Sequence, residues 1–107
     1  MYDDYPAMAL AQLADLGIVK HGEMAEFVEA RLLEDQWPLN TSGGMLSAGQ
    51  AGAGAGLHGL VEAATQLLGR AGNRQVVGAR TAVVSGYGMV VARYGAAANA
   101  VALAAPC

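Results

Sequence analysis

Two tyrosines stand where a phenol could move a proton. Tyr87 lies in Ser85-Gly86-Tyr87-Gly88, a glycine-flanked tip directly after a β-branched run, and Tyr5 sits at the start of the first helical pattern. A phenol both donates and accepts hydrogen bonds, and it ionises near pH ~10 when unperturbed. Composition alone assigns each of them no more than packing with a satisfied hydroxyl. Asp3 and Asp4 form a carboxylate pair that could serve acid–base chemistry, although a helix N-cap accounts for at least one of them. His21 and His58 are the only histidines. No cysteine or carboxylate spacing around them resembles a metal site, so no metal is expected, and surface or capping roles suit both. Gly54-Ala55-Gly56-Leu57-His58-Gly59 matches G-x-G-x-x-G and opens a helix. A dinucleotide site also needs a hydrophobic strand just before that motif and an acidic residue about 20 positions on. Here a polar glycine loop precedes it, and Arg74 to Arg80 holds no Asp or Glu. Close packing of a helix start explains the motif better, and such a start can still offer N–H groups to an anion.

The elements that must position these residues follow from periodicity. Asp4 is the expected N-cap of a first helix, with Pro6 in its first turn, where a missing N–H costs nothing. Met8, Ala9, Leu13 and Leu16 form its apolar face, and Gly17 is placed to end it in the left-handed region. Gly22 to Leu33 is a second, shorter helical pattern, with Met24, Phe27, Val28 and Leu32 inward and Trp37-Pro38 closing it. Asn40 to Gly56 reads as a long polar, glycine-rich loop of the kind that is usually functional or disordered. Leu57, Leu60, Val61, Ala64, Leu67 and Leu68 define a third helix that Gly69 to Gly72 stops. Thr81 to Ser85 reads as a strand buried on both faces. Met89 to Val91 and Val101 to Leu103 are two further strands, with Gly95 and an alanine-rich turn between them. The order is helix, helix, loop, helix, strands: an α/β chain with too few strands to look complete.

Composition bounds the rest. The 107 residues make one domain or part of one, and 54% apolar against 14% charged excludes a disordered chain. Alanine and glycine together exceed a third of the chain, with aromatics at 6%, so each buried side chain contributes little at ~25 cal/mol per Å². A core of that kind is expected to lean on a partner, an oligomer, or a missing part of a longer chain. The net charge of −3, with no basic run, excludes nucleic-acid binding through phosphate neutralisation. Cys107 is the single cysteine, which fits a reducing cytoplasm, and the acidic start Met1-Tyr2-Asp3-Asp4 lacks the order of a signal peptide. The weakly polar stretch Gly95 to Pro106 is too short to span a bilayer.

Four blocks carry a resemblance: Tyr2-Asp3-Asp4-Tyr5-Pro6, Leu39-Asn40-Thr41-Ser42-Gly43-Gly44-Met45-Leu46-Ser47-Ala48-Gly49-Gln50, Arg74-Gln75-Val76-Val77-Gly78-Ala79-Arg80 and Ser85-Gly86-Tyr87-Gly88-Met89. Together they resemble the C-terminal part of the thiolase superfamily over nearly all of residues 1–107, and the N-T-x-G-G-x-L-S-x-G block is the most specific of them. The resemblance implies a partial thiolase-like C-terminal domain, one portion of a fold in which mixed sheets are covered by helices. It also implies a fragment, a truncated product, or one piece of a split enzyme. Thiolases usually carry G-H-P where this chain has Gly49-Gln50-Ala51, and a cysteine followed by glycines near Gly86-Tyr87-Gly88, within one residue of register. Gln50 donates a hydrogen bond but cannot act as a base.

Those departures are similar to the sterol-carrier-type lipid-transfer proteins and steroid side-chain aldolases of the superfamily. That subgroup implies tyrosines in place of cysteine and histidine, and an OB-fold partner protein. The expected reaction is retro-aldol carbon–carbon cleavage of a β-hydroxyacyl-CoA from lipid or sterol side-chain degradation. It requires a base for the hydroxyl proton and donors for the thioester oxygen as the enolate forms. Tyr87 is the expected acid–base residue and Tyr5 the second. Asn40, Gly43, Gly44, Gln50 and Gly86 are the expected thioester-binding residues, with coenzyme A entering as part of the substrate and no separate cofactor. The alternatives are a thiolase-type acyltransferase and a non-catalytic lipid-transfer or assembly subunit. The expected partners are an acyl-CoA and either a second copy or a missing N-terminal thiolase half.

Overall fold

The computed structural model describes residues 1–34 and 36–107. Helix α1 spans Pro6–Asp15, with Pro6 at its first position as expected. Its N-cap is Tyr5, and no side chain caps it, so the expected Asp4 cap is corrected. Asp4 is turned instead toward Tyr87. Gly17 ends the helix at φ +70°, as its position implied. Ala9 and Leu13 point into the core, and among the described residues Leu13 alone of the large side chains is fully enclosed. Leu16, expected on the same face, is exposed because the helix end leaves the core.

The second helical pattern breaks into a 3-10 turn at His21–Glu23, helix α2 at Met24–Phe27, and a π turn at Val28–Leu32. Two of its four expected inward residues, Met24 and Phe27, reach the core. Met24 and Phe27, with Trp37 and Leu39, pack on the cluster of Met1, Ala9, Leu13 and Val19, and Phe27 meets Trp37 edge to face at 5.5 Å.

The glycine-rich passage is not structure-free. Gly44–Ala48 forms the short helix α3, and Gly52–Leu57 forms a 3-10 turn that leads into α4, His58–Leu67. Gly69 at φ +68° stops α4. A Cβ on Gly59 would sit 3.3 Å from Val84, so the glycine lets α4 lie close against the sheet, which is the packing role read from the motif.

The sheet differs from the expectation. Thr81–Val91 and Tyr94–Ala104 are two 11-residue strands, β1 and β2, that pair antiparallel from Thr81↔Ala104 to Val91↔Tyr94. The three short strands thus become one hairpin, and the expected mixed sheet is, among the described residues, a two-stranded antiparallel one. The turn falls at Ala92 and Arg93, both at positive φ, rather than at Gly95. Only Val84 and Ser85 of β1 are buried, and β2 is exposed along nearly its whole length, so the reading of strands buried on both faces is corrected. The α/β class stands: helices lie against this hairpin. No helix among the described residues is long and apolar enough to cross a membrane.

Candidate functional site

The N-terminal segment runs beside β1 and is tied to it. The Tyr2 N–H donates to the Ser85 carbonyl at 3.0 Å. Gln12 on α1 donates to the carbonyls of Tyr2 and Met8, and its own oxygen accepts from the buried Ser85 hydroxyl at 2.8 Å. A buried amide with each end paired fixes the register between α1, the segment and the strand. The consequence is a cluster of side chains from three separate blocks of the sequence.

Tyr87 donates its hydroxyl to the Asp4 carboxylate. Its ring meets Tyr2 edge to face at 5.4 Å and 81°. The Tyr2 hydroxyl in turn accepts from Gln50 Nε2 at 2.6 Å. Partial burial, followed by the Asp4 hydrogen bond and charge, pushes the Tyr87 phenol well above its ordinary value, and Tyr2 and Tyr5 add to the shift. Tyr87 thus holds its hydroxyl proton more tightly than a free phenol does. Tyr5 is two-thirds exposed. Gly86 pairs with Asn99 across the hairpin, and a Cβ there would meet Asn99 and Tyr2 in ordinary contact.

Asp3 serves the neighbouring block. Only 5% exposed, it accepts the Met45 N–H at 2.9 Å on Oδ1 and so caps α3 from a distant segment. This cap was not the one expected: it comes from Asp3 rather than Asp4, and it serves α3 rather than α1. Gly43, at φ +95°, is the N-cap position of α3, and Gly44 lies buried against the Asp3 carboxylate. Asn40 holds the main chain of Met1, its amide donating to the Met1 carbonyl at 3.0 Å.

Next to Asp3 opens a cavity of about 340 Å³, walled by α4, the start of β1 and the Trp37–Met45 segment. Of the expected site residues, Asn40 and Gly44 line it. Tyr87, Tyr5, Gln50, Gly43 and Gly86 do not, so the dipeptide Asp3-Asp4 stands between the cavity and the tyrosine cluster. Glu62 and Gln66 of α4 form its polar wall. Glu62 accepts from Thr41 at 2.7 Å, from Gln66 at 2.9 Å and from Arg74 at 3.0 Å. Burial opposes ionisation of Glu62, yet the bonds from Arg74, Gln66 and Thr41 outweigh it and hold the carboxyl below its ordinary value. Gln66 also donates to the Arg74 carbonyl and accepts the Val76 N–H, which fastens the Arg74–Arg80 block to α4.

Sequence reasoning missed Tyr2 and the partnership of Asp4 with Tyr87. Only the place of Tyr2 and Asp4 in one short block, and of Tyr87 in another, hinted at them. Among the described residues no group of His, Cys, Asp and Glu is arranged to hold a metal.

An α/β unit of helices on a hairpin, carrying the N-T-x-G-G block at a cavity wall, has the character of a thiolase C-terminal part. The thiolase C-terminal domain-like family matches residues 1–98, and the chain belongs to that family. Sterol carrier protein 2 of Bos taurus is 33% identical over 91 residues, which is 83% of this chain and 17% of that protein. The chain thus spans well under a fifth of the length of that relative. No solved structure matches it.

Proposed function

We propose that this chain is the C-terminal portion of a thiolase-fold enzyme that cleaves a β-hydroxyacyl-CoA by a retro-aldol step. The observation that carries the reading is the Tyr87 hydroxyl held on Asp4. In the reaction a base removes the β-hydroxyl proton, the Cα–Cβ bond breaks, and its electron pair enters the thioester carbonyl as an enolate. The carbonyl product leaves, and Cα takes up a proton. A protonated phenol suits the last step and suits donation to the enolate oxygen. Asp4 is the acceptor that can receive the hydroxyl proton and pass it back through Tyr87. The thiolytic route lacks support, because Gln50 stands where a base would be needed and is engaged with Tyr2.

Apolar residues left in water support an assembly with a second copy or a missing thiolase half. Leu57, Leu60, Val61 and Leu68 of the α4 region are all more than a third exposed. An OB-fold partner belongs to the same proposal. The test is direct. Reconstituted protein is titrated calorimetrically with an acyl-CoA and with NAD, then given a β-hydroxyacyl-CoA while the released carbonyl product is measured. Acyl-CoA binding with carbonyl release is expected. NAD binding tighter than acyl-CoA, or binding without cleavage, overturns the enzymatic reading.

A second reading has its own observation. The name sterol carrier protein 2 on the relative, together with the cavity of about 340 Å³, supports lipid transfer without catalysis. Binding of the acyl-CoA with no carbonyl release would favour it.

A further inference from the structure

Ser42 and His58 meet across 16 residues of chain, Ser42 Oγ lying 2.9 Å from His58 Nε2. Both side chains are half-buried. Both line the cavity of about 340 Å³, and both also line a second, more open cavity of about 350 Å³ bounded by Ala51, Gly54 and Leu57. With Glu62 they are the residues the two cavities share, so the pair stands at the junction between them. Glu62 sits one helical turn beyond His58 on the same face of α4. Its carboxylate is taken up by Thr41, Gln66 and Arg74, which hold it at the shared wall of the two cavities. A hydroxyl within hydrogen-bond reach of an imidazole, at the edge of a cavity, is the arrangement that activates a serine nucleophile.

We propose that Ser42 and His58 form a nucleophile–base pair that hydrolyses acyl esters and thioesters, an activity separate from the carbon–carbon cleavage assigned to Tyr87. With the ring proton on Nδ1, Nε2 accepts the Ser42 hydroxyl proton as Oγ attacks the acyl carbon. The bond from that carbon to the leaving oxygen or sulfur breaks, and the leaving group takes the proton from the imidazolium. Water then attacks the seryl ester, its proton passing to His58 and on to Ser42 Oγ as the carboxylic acid departs. The sum is ester plus water giving acid plus alcohol or thiol. The opening on two sides gives the acyl chain and the leaving group separate places.

The probe is an alkyl fluorophosphonate, which marks an activated serine independently of coenzyme A, used beside p-nitrophenyl butyrate as substrate. The whole chain is labelled, digested and mapped by mass spectrometry. An adduct on Ser42 is expected, and His58→Gln should slow both labelling and hydrolysis by ~10²–10⁴-fold, the usual range for a general base. Ser42→Ala should lose both. Wild-type protein with no adduct on Ser42 overturns the proposal without reference to any variant. Equal labelling rates in wild type and His58→Gln overturn it as well, and leave the pair as a tie between the Asn40–Gly44 loop and α4. Circular dichroism of each variant separates lost reactivity from lost fold. Neither outcome bears on the Tyr87 reading, because the probe carries no β-hydroxyacyl group.

Discussion

Gly44→Ala is the sharpest test of how the Asp3-Asp4 segment is held. Gly44 is buried at φ +61°, and a Cβ built there would lie 2.6 Å from Asp3 Cγ and 2.7 Å from Oδ1. Asp3 is 5% exposed, so its carboxylate has no water to swing into. Two costs follow. Holding alanine in the left-handed region costs ~1–2 kcal/mol. Displacing the carboxylate from the Met45 N–H forfeits a hydrogen bond to a charged group, worth ~1.5–3 kcal/mol. The sum is ~2.5–5 kcal/mol, a large share of a typical domain stability of ~5–15 kcal/mol. Gly69→Ala is the control. Gly69 is at φ +68° at the end of α4 and has nothing within 4 Å of its Cβ position, so it should bear only the backbone cost. Urea unfolding of both variants, read as a shift in midpoint at unchanged slope, gives the comparison. The expected difference is the ~1.5–3 kcal/mol that belongs to Asp3. Equal losses in the two variants would refute the claim that the Asp3 carboxylate fixes α3 and, through it, the approach of Asp4 to Tyr87.

Three further outcomes are expected. Tyr87 has its phenol raised in the fold, so it contributes stability that is fully present below its ordinary ionisation near ~10 and is lost as pH rises through the raised value. Phenolate absorbance should show a last-ionising tyrosine that disappears in Tyr87→Phe, and an unchanged titration would contradict this. Glu62 has the opposite sign: its contribution is present above the ordinary carboxyl value of 4.5 and lost as pH falls through the lowered one. Glu62→Gln should therefore lower stability at neutral pH and converge with wild type in acid, whereas an equal loss at both pH values would contradict the assignment. The exposed apolar residues Leu57, Val61, Val77, Val90 and Val91 predict self-association or dependence on a second chain, measured by sedimentation; a cooperative monomer that binds no hydrophobic dye would contradict it.

Helical periodicity made α1 and α4 legible in the sequence, because each repeats apolar residues at three and four and ends on a glycine that can take positive φ. Close packing at Gly59 was legible because the G-x-G-x-x-G motif opens a helix without the strand and acidic residue of a dinucleotide site. The hairpin was not. Ala92 and Arg93 turn the chain at positive φ without the Asn-Gly signature, so a single long pairing read as three short strands. The glycine-rich passage hid α3, since its stabilising cap comes from Asp3, more than 40 residues earlier. That capping also explains the exchange of roles in Asp3-Asp4. Local sequence offered Asp4 to the nearest helix, while the tertiary fold sent Asp3 to α3 and Asp4 to Tyr87. The four-block resemblance located Tyr87 and Gln50, but only the packing of segment against strand brought in Tyr2. The apolar face of α4 was correctly periodic, yet Leu57, Leu60 and Val61 along it stay more than a third exposed.

The central claim is that Tyr87, held on Asp4, moves the proton in carbon–carbon cleavage. The measurement is turnover of a β-hydroxyacyl-CoA by the assembled enzyme carrying Tyr87→Phe, Asp4→Asn, Tyr5→Phe or Gln50→Ala. Tyr87→Phe keeps the ring against Tyr2 and removes one hydroxyl, so the fold and acyl-CoA binding should persist while turnover falls by ~10²–10⁴-fold. Asp4→Asn should fall comparably, and Tyr5→Phe, two-thirds exposed, should fall less. Near-normal turnover in Tyr87→Phe with loss in Tyr5→Phe would move the proton transfer to Tyr5, and near-normal turnover in all four would contradict the account.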